Sequence, residues 1–221
     1  LSPEGYRLSI RENAIGKVIL VAGKEPVGVL YGAFALLRMI QAGQALNNID
    51  LASSPAFEER LFNHWDNVFV GSVERGYAGG SIFKWDALHS SAWRHRDYAR
   101  MAASIGINGV VINNVNTSTQ QGHTWELLKS EHLPEVALMA DRLRPWGIRL
   151  FLSVNFASPI LIDQLETADP LNAEVIAWWE NKVTEVYGYI PDFGGFLVKA
   201  NSEGEPGPQD FGRTHAQGAN L

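Results

Sequence analysis

The chain reads as an α/β protein, and three observations predict it. Apolar, β-prone runs recur at Leu61 (LFNHW), Asn108 (NGVVINN), Ile148 (IRLFLSVNF) and Gly194 (GGFLVKAN), at intervals of 47, 40 and 46 residues. Helical segments with an apolar face fill the gaps at 96–105, 133–145 and 173–187. Strands that are apolar throughout and alternate with helices imply a parallel sheet covered by helices. The third observation concerns the first strand, which runs into Asn63-His64-Trp65-Asp66-Asn67 and lacks the glycine-rich phosphate turn that would favour an open, doubly wound sheet. A closed barrel of eight such units would take about 330 residues. Four units therefore make the first half of a (β/α)8 TIM barrel, preceded by the end of a small α/β domain.

The N-terminal part is read from its own periodicities. Residues 6–11 and 17–22 are strand-like and flank the turn-like Glu12-Asn13-Ala14-Ile15-Gly16. Pro26 opens a helix in which Val27, Leu30, Tyr31, Phe34, Leu37 and Ile40 recur at helical spacing. The Asn- and Ser-rich stretch AGQALNNIDLASSP, 42–55, then reads as a linker. Residues 1–55 are thus the C-terminal part of an N-terminal α/β domain with its linker. Residues 56–221 are the first four βα units of the barrel.

Composition narrows the function. The chain is 46% hydrophobic and has seven Trp and ten Phe, enough for a substantial core. A net charge of −6 provides no basic surface for nucleic acid. With no cysteine there is no disulfide, thiolate nucleophile or cysteine metal site. His64 and His123 have no second histidine at ligand spacing, so neither metal nor cofactor is expected. No stretch approaches the roughly 20 apolar residues of a membrane span, and the N-terminus is not a signal peptide. The true start of the polypeptide is expected upstream of Leu1, and THAQGANL is expected to end the chain without a cap or a helix. A soluble protein, intracellular or cell-associated, is the corresponding expectation.

In a parallel α/β barrel the chemistry collects where strands give way to loops. The four strand ends read Asn63 to Asn67, then Asn113, Asn114, Val115 and Asn116, then Asn155 and Phe156, then Lys199, Asn201 and Glu203. Amides donate and accept at once, which suits a polyhydroxylated ligand, and an indole face suits the C–H face of a sugar ring. Asparagine also caps helices and turns well, so each one alone has a structural reading. The last strand carries the sharpest signal. DFGGFLVKANSEGEPGPQDFGR, 192–213, places Glu203 beside a cation and just before Gly204, Pro206, Gly207 and Pro208, a stiff loop. Glu203 is a candidate general acid. The long first loop carries Glu74, Arg75 and Tyr77, with Arg75 either on substrate or paired with Glu74 or Asp66. Trp178 and Trp179 are expected in the core, and His215 is a candidate polar contact.

The strings NHWDN (63–67), ERGYAGGSIF (74–83), SIGINGVVINNVN (104–116), LSVNFASP (152–159), TADPL (167–171) and GGFLVKANSEGEPGPQDFGRTHAQGAN (194–220) together resemble the α-glucuronidases of glycoside hydrolase family 67. The resemblance implies a smaller α/β domain before an (α/β)8 barrel. It also implies inverting hydrolysis of the α-1,2 bond between (4-O-methyl-)glucuronic acid and the terminal xylose of xylo-oligosaccharides derived from glucuronoxylan. Carried over by motif, Glu203 is the general acid and Lys199 binds the uronate carboxylate. Trp65 and Val115 line the pocket, and Asn114, Asn201 and Arg213 complete the substrate-binding set. An inverting enzyme also needs a carboxylate base roughly 6.5 to 9.5 Å from the acid. In the family that base comes from later in the barrel, so the chain is expected to be a piece of a longer enzyme, inactive by itself. A homodimer of the full-length protein is compatible with the resemblance. Another barrel glycosidase with Glu203 as its acid, and a non-catalytic sugar-binding module, remain as alternatives. The unpaired edges of a half barrel weigh against the module.

Overall fold

The computed structural model describes residues 1–65, 82–113, 127–201 and 206–221, with Trp65 and Asp86 described in their backbone alone. Two sheets organise it. The first is antiparallel, in the order β2-β1-β3, from β1 (Tyr6–Asn13), β2 (Gly16–Gly23) and β3 (Asp50–Ser53). β1 and β2 form a hairpin closed by Ala14 and Ile15, with Asn13 opposite Gly16. β3 lies inside the segment expected to be a linker. It is only four residues long and pairs with β1 from Tyr6↔Ser53 to Ser9↔Asp50, so the sheet extends into that stretch.

Helix α1 (Pro26–Gln41) starts on a proline, whose missing N–H costs nothing in the first turn. Its buried stripe is Gly28, Tyr31, Gly32 and Ala35, at helical spacing. The two glycines set the approach: a Cβ on Gly28 would lie 2.3 Å from the Gly5 carbonyl oxygen, and one on Gly32 would lie 2.7 Å from Val21 Cγ1. Val27, Leu30 and Phe34 pack instead against the main core, whereas Leu37 and Ile40, expected on the buried face, are exposed. Counting large apolar residues misplaces a helix face whose contact is made by glycine.

The second sheet is parallel, with β4 (Leu61–Trp65), β5 (Gly109–Asn113), β6 (Arg149–Asn155) and β7 (Gly195–Lys199) adjacent in chain order. Helices α2 (Ala92–Ser104), α3 (Leu133–Leu143) and α5 (Ala173–Tyr189) cover one face. The short α4 (Ser158–Asp163) follows β6. Two short helices were not legible as such: α4, and α6 (His215–Ala219) near the end of the chain. The end is in fact capped. Thr214 Oγ1 accepts from the Gln217 amide at 3.2 Å, and Gln217 Oε1 accepts from the Thr214 amide at 2.9 Å.

Strand alternation divides the sheet. Phe62, Val110, Ile112, Leu150, Leu152, Val154 and Phe196 face the helices and build the main core with Ala99, Leu133, Val136, Met139, Leu143 and Val186. Val111, Asn113, Phe151, Ser153, Asn155, Leu197 and Lys199 occupy the other parity and point away from the helices. At the N-terminal ends of the strands, Asn108 ties the two sheets: its Oδ1 accepts from the Arg60 amide at 2.9 Å, and its Nδ2 donates to Glu4 Oε1 at 3.1 Å. Arg60 itself bonds Glu4 and the carbonyls of Phe57 and Gly106. The C-terminal ends are left clear of the small sheet.

Candidate functional site

The face turned away from α2, α3 and α5 is mixed along the strands and ends on polar groups. Its lower layer holds Asn63, Val111, Phe151 and Gly195, the next Asn113, Ser153 and Leu197, and the last Asn155 and Lys199. Asn155 pairs with Lys199 in register at the top of the sheet, and the Phe156 amide donates to the Lys199 carbonyl at 2.9 Å, so the ladder runs on for one residue. Asn155 is buried and locally committed: its Oδ1 accepts from the Ala157 amide at 2.9 Å, and its carbonyl accepts from Ser158 Oγ at 2.6 Å. Asn113 is 4% exposed, and its Oδ1 meets no hydrogen-bond donor among the described residues, which break off at this position. A buried amide oxygen without a donor is costly, and Ser2 Oγ and Trp179 Nε1, outside this row of strand ends, share that condition.

Lys199 thus stands at the end of β7 as the motif implied. Trp65 closes β4 with its backbone opposite Asn113. Glu203, Asn114 and Val115 lie outside the described residues, as do Asp66, Glu74, Arg75, Tyr77 and His123. Asn201 has left-handed backbone (φ 50°), and its Nδ2 donates to Asp210 Oδ2 at 2.6 Å. Arg213 sets Nε and Nη2 on the two oxygens of Asp169, at 2.8 and 2.6 Å. That guanidinium, with the Leu171 amide, holds the Asp169 carboxyl down at about 2. The pair fastens the loop after β7 to the TADPL turn after α4. Neither Asp169 nor Asp210 was singled out in the sequence. Asp210 had a local signal, an acid three residues after Gly207 in a proline-led turn, but the Asp169 partner is 44 positions away.

His64 belongs elsewhere. Its parity turns it toward the helices, where it bonds the Tyr98 hydroxyl and meets Phe62, Phe83 and Tyr98 edge-on. Burial pushes its pKa below that of a free imidazole. Trp178 and Trp179 pack against the main core, as expected, and Trp178 Nε1 donates to Asp163 at 2.5 Å. His215 Nε2 lies 3.2 Å from Gln209 Nε2. An apolar cavity of about 380 Å³ lies on the helix side, lined by Val154, Phe156, Trp179, Phe196, Val198 and Leu221. It contains no cation for an anionic sugar, so the polar strand ends are the better candidate site. Among the described residues there is no cluster of three metal-ligating side chains, and no helix long and apolar enough to cross a membrane.

Residues 39–221 match the glycosyl hydrolase family 67 middle domain. The chain belongs to glycosyl hydrolase family 67. Curated relatives of this family 67 chain include the probable alpha-glucuronidase A of Aspergillus fumigatus, 44% identical over 222 residues, and the alpha-glucuronidase A of Emericella nidulans, 44% identical over 226 residues. The alpha-glucuronidase of Hypocrea jecorina is 42% identical over 227 residues. Each alignment covers 100% of this chain but only 25% or 26% of the relative, so the chain spans about a quarter of their length. Among solved structures, a GH138 enzyme targeting pectin rhamnogalacturonan II superposes with a TM-score of 0.54 at 15% identity, covering 88% of this chain and 24% of that one. That likeness concerns the fold alone.

Proposed function

We propose that the protein to which this chain belongs is an inverting α-glucuronidase that releases (4-O-methyl-)glucuronic acid from the terminal xylose of xylo-oligosaccharides. In this reading residues 1–55 end a small α/β domain, and 56–221 form the first four βα units of a (β/α)8 barrel. Strand order supports the barrel: the four strands add on one side without the reversal of a doubly wound sheet. The observation that carries the function is the set of polar strand ends turned away from α2, α3 and α5, Asn113, Asn155 and Lys199, in a chain whose relatives are named alpha-glucuronidases.

The chemistry follows from charge. A uronate carries a carboxylate that neutral sugars lack, and Lys199 meets it as a point charge at the strand end. Trp65, Val115, Asn114 and Asn201 bind the remainder of the sugar. Glu203, protonated on arrival, gives its proton to the departing xylose oxygen while a carboxylate from the rest of the barrel takes a proton from water. Arg213 serves the site through Asp169. The test is the anomer first formed by the full-length enzyme, followed by proton NMR. The β-anomer of the released uronic acid is expected, and initial release of the α-anomer would make the enzyme retaining and overturn the reading.

A further inference from the structure

Past the last rung of the sheet, packing and charge close a ring on Lys199. The Phe156 amide donates to the Lys199 carbonyl at 2.9 Å, and the Phe156 side chain forms a small satellite core with Ala157 and Ala168, against which Ala200 and Phe211 pack. The rings of Phe156 and Phe211 stand 6.2 Å apart. Two residues beyond Phe211, Arg213 sets its fork on Asp169, the neighbour of the fully buried Ala168. Asp169 is itself fixed: its amide donates to Thr167 Oγ1 at 3.0 Å, and its Oδ1 accepts from the Leu171 amide at 3.0 Å. The ring thus runs from Lys199 to Phe156, Ala168, Asp169, Arg213 and Phe211, and returns through the shared cluster to Ala200.

We infer that Asp169, through its ion pair with Arg213, is a positioning residue for Lys199, holding the end of β7 where the lysine meets a uronate carboxylate. The inference rests on the α-glucuronidase reading with Lys199 as the carboxylate's partner. Among the described residues β7 pairs with β6 alone, so its end depends on what packs beyond the sheet. What packs there is small. Two of the three buried members of the cluster are alanines, which contribute little apolar area, and the ion pair joins the two sides that they leave weakly held. Exposed ion pairs usually contribute little, but two parallel N–H···O bonds from one guanidinium to one carboxylate are the stronger, geometrically specific kind. Loss of Asp169 leaves the lysine its charge and removes its placement, so the effect falls on the contact that Lys199 makes.

The experiment uses the full-length enzyme and its affinity for glucuronic acid, read by isothermal titration calorimetry, in Asp169→Ala, Lys199→Ala and the double variant. Lys199→Ala should weaken binding about 10- to 100-fold. Asp169→Ala should weaken it about 10-fold, and should raise KM for an aldouronic acid by a similar factor with kcat little changed. In the double variant the two losses should not combine, and its affinity should lie within about 2-fold of that of Lys199→Ala. A merely structural role weakens binding whether or not the lysine is present, so losses that multiply, or an Asp169→Ala affinity equal to that of the parent enzyme, overturn the inference. Asp169→Asn, which keeps an acceptor oxygen without the charge, decides the same cycle if the alanine protein does not fold. The two readings fail differently. If Lys199→Ala leaves the affinity unchanged, the uronate role of Lys199 falls and the inference with it. If Lys199→Ala weakens binding and the Asp169 loss multiplies with it, the positioning role alone is lost.

Discussion

His95 offers a test of the core that involves no substrate. It is fully buried on α2, its Nε2–H donates to the Phe83 carbonyl at 2.6 Å, and its Nδ1 accepts from Arg142 Nη1 at 2.7 Å. Arg142 Nη1 also donates to the Leu88 carbonyl at 2.6 Å, so the guanidinium is held from both sides. This arrangement needs the neutral Nε2–H tautomer. A second proton would set N–H against N–H beside a fixed positive charge, and burial, the larger influence, also disfavours the imidazolium; the pKa is pushed down. The unfolded chain takes up that proton near its ordinary value of about 6.5, so below it the unfolded state binds more protons than the folded one. Stability is fully present above pH of about 6.5 and is lost as the pH falls toward the folded value, at a limiting rate of roughly 1.4 kcal/mol per pH unit. Urea unfolding of the full-length protein and of His95→Gln, across about pH 7 to about 5, isolates this residue from the other histidines. The glutamine retains a neutral donor toward Phe83, so its protein should start less stable and lose less on acidification. A stability gap between the two proteins that stays constant across the range would refute the reasoning, as would an imidazole resonance of His95 titrating at or above the free value.

Other outcomes follow from single contacts. Gly109→Ala would set a Cβ 2.3 Å from Leu61 Cδ2 and 2.8 Å from Phe151 Cε2, and should cost about 1 to 3 kcal/mol by overpacking, read as a lowered melting temperature. Arg213→Ala frees Asp169, whose carboxyl, held at about 2, contributes stability above its unfolded value of about 4 that is lost as pH falls through about 2. The variant should therefore show a flatter acid limb below about pH 4 by circular dichroism, and an unchanged limb would remove the pair from the account. Lys199→Ala in the complete enzyme should weaken uronate substrates by roughly 1.5 to 3 kcal/mol in kcat/KM, and an equal loss on neutral glycosides would mean that Lys199 does not read the carboxylate.

Much of this architecture is visible in residue periodicity, because the parallel strands and their helices bury one continuous face each. β5 is buried at every position, and GVVIN announces it. β3 was not visible. DLAS sits among Asn and Ser, and only its pairing with β1 makes it a strand. The buried stripe of α1 was hidden for the opposite reason, since Gly28 and Gly32 contribute closeness and no apolar bulk. At the site, the ends of the strands could be located from sequence, but the direction of each side chain required the register. Parity sends His64 to Tyr98 and Asn113 to the open face, although both had appeared as strand-end polar groups. The Asp169 and Asp210 contacts that fasten the last loop join parts of the chain through folded geometry, and nothing local in TADPL reveals Arg213 as its partner.

The order β4-β5-β6-β7 is also an order in time. Successive strands start some 40 to 48 residues apart, and each pairs with the strand made just before it. At about 5 to 20 residues per second, a ribosome releases one such unit every few seconds. Helix formation and the closing of short loops take microseconds or less. Each new strand can therefore dock on a finished neighbour before the next appears, and the sheet can lengthen by one rung at a time without waiting for its far side. The newest edge is always the vulnerable one. In β7 it displays Leu197 and Val198, 41% and 53% exposed, on a strand that pairs with β6 alone among the described residues, so a nascent chain halted at this point would present an adhesive border to other nascent chains.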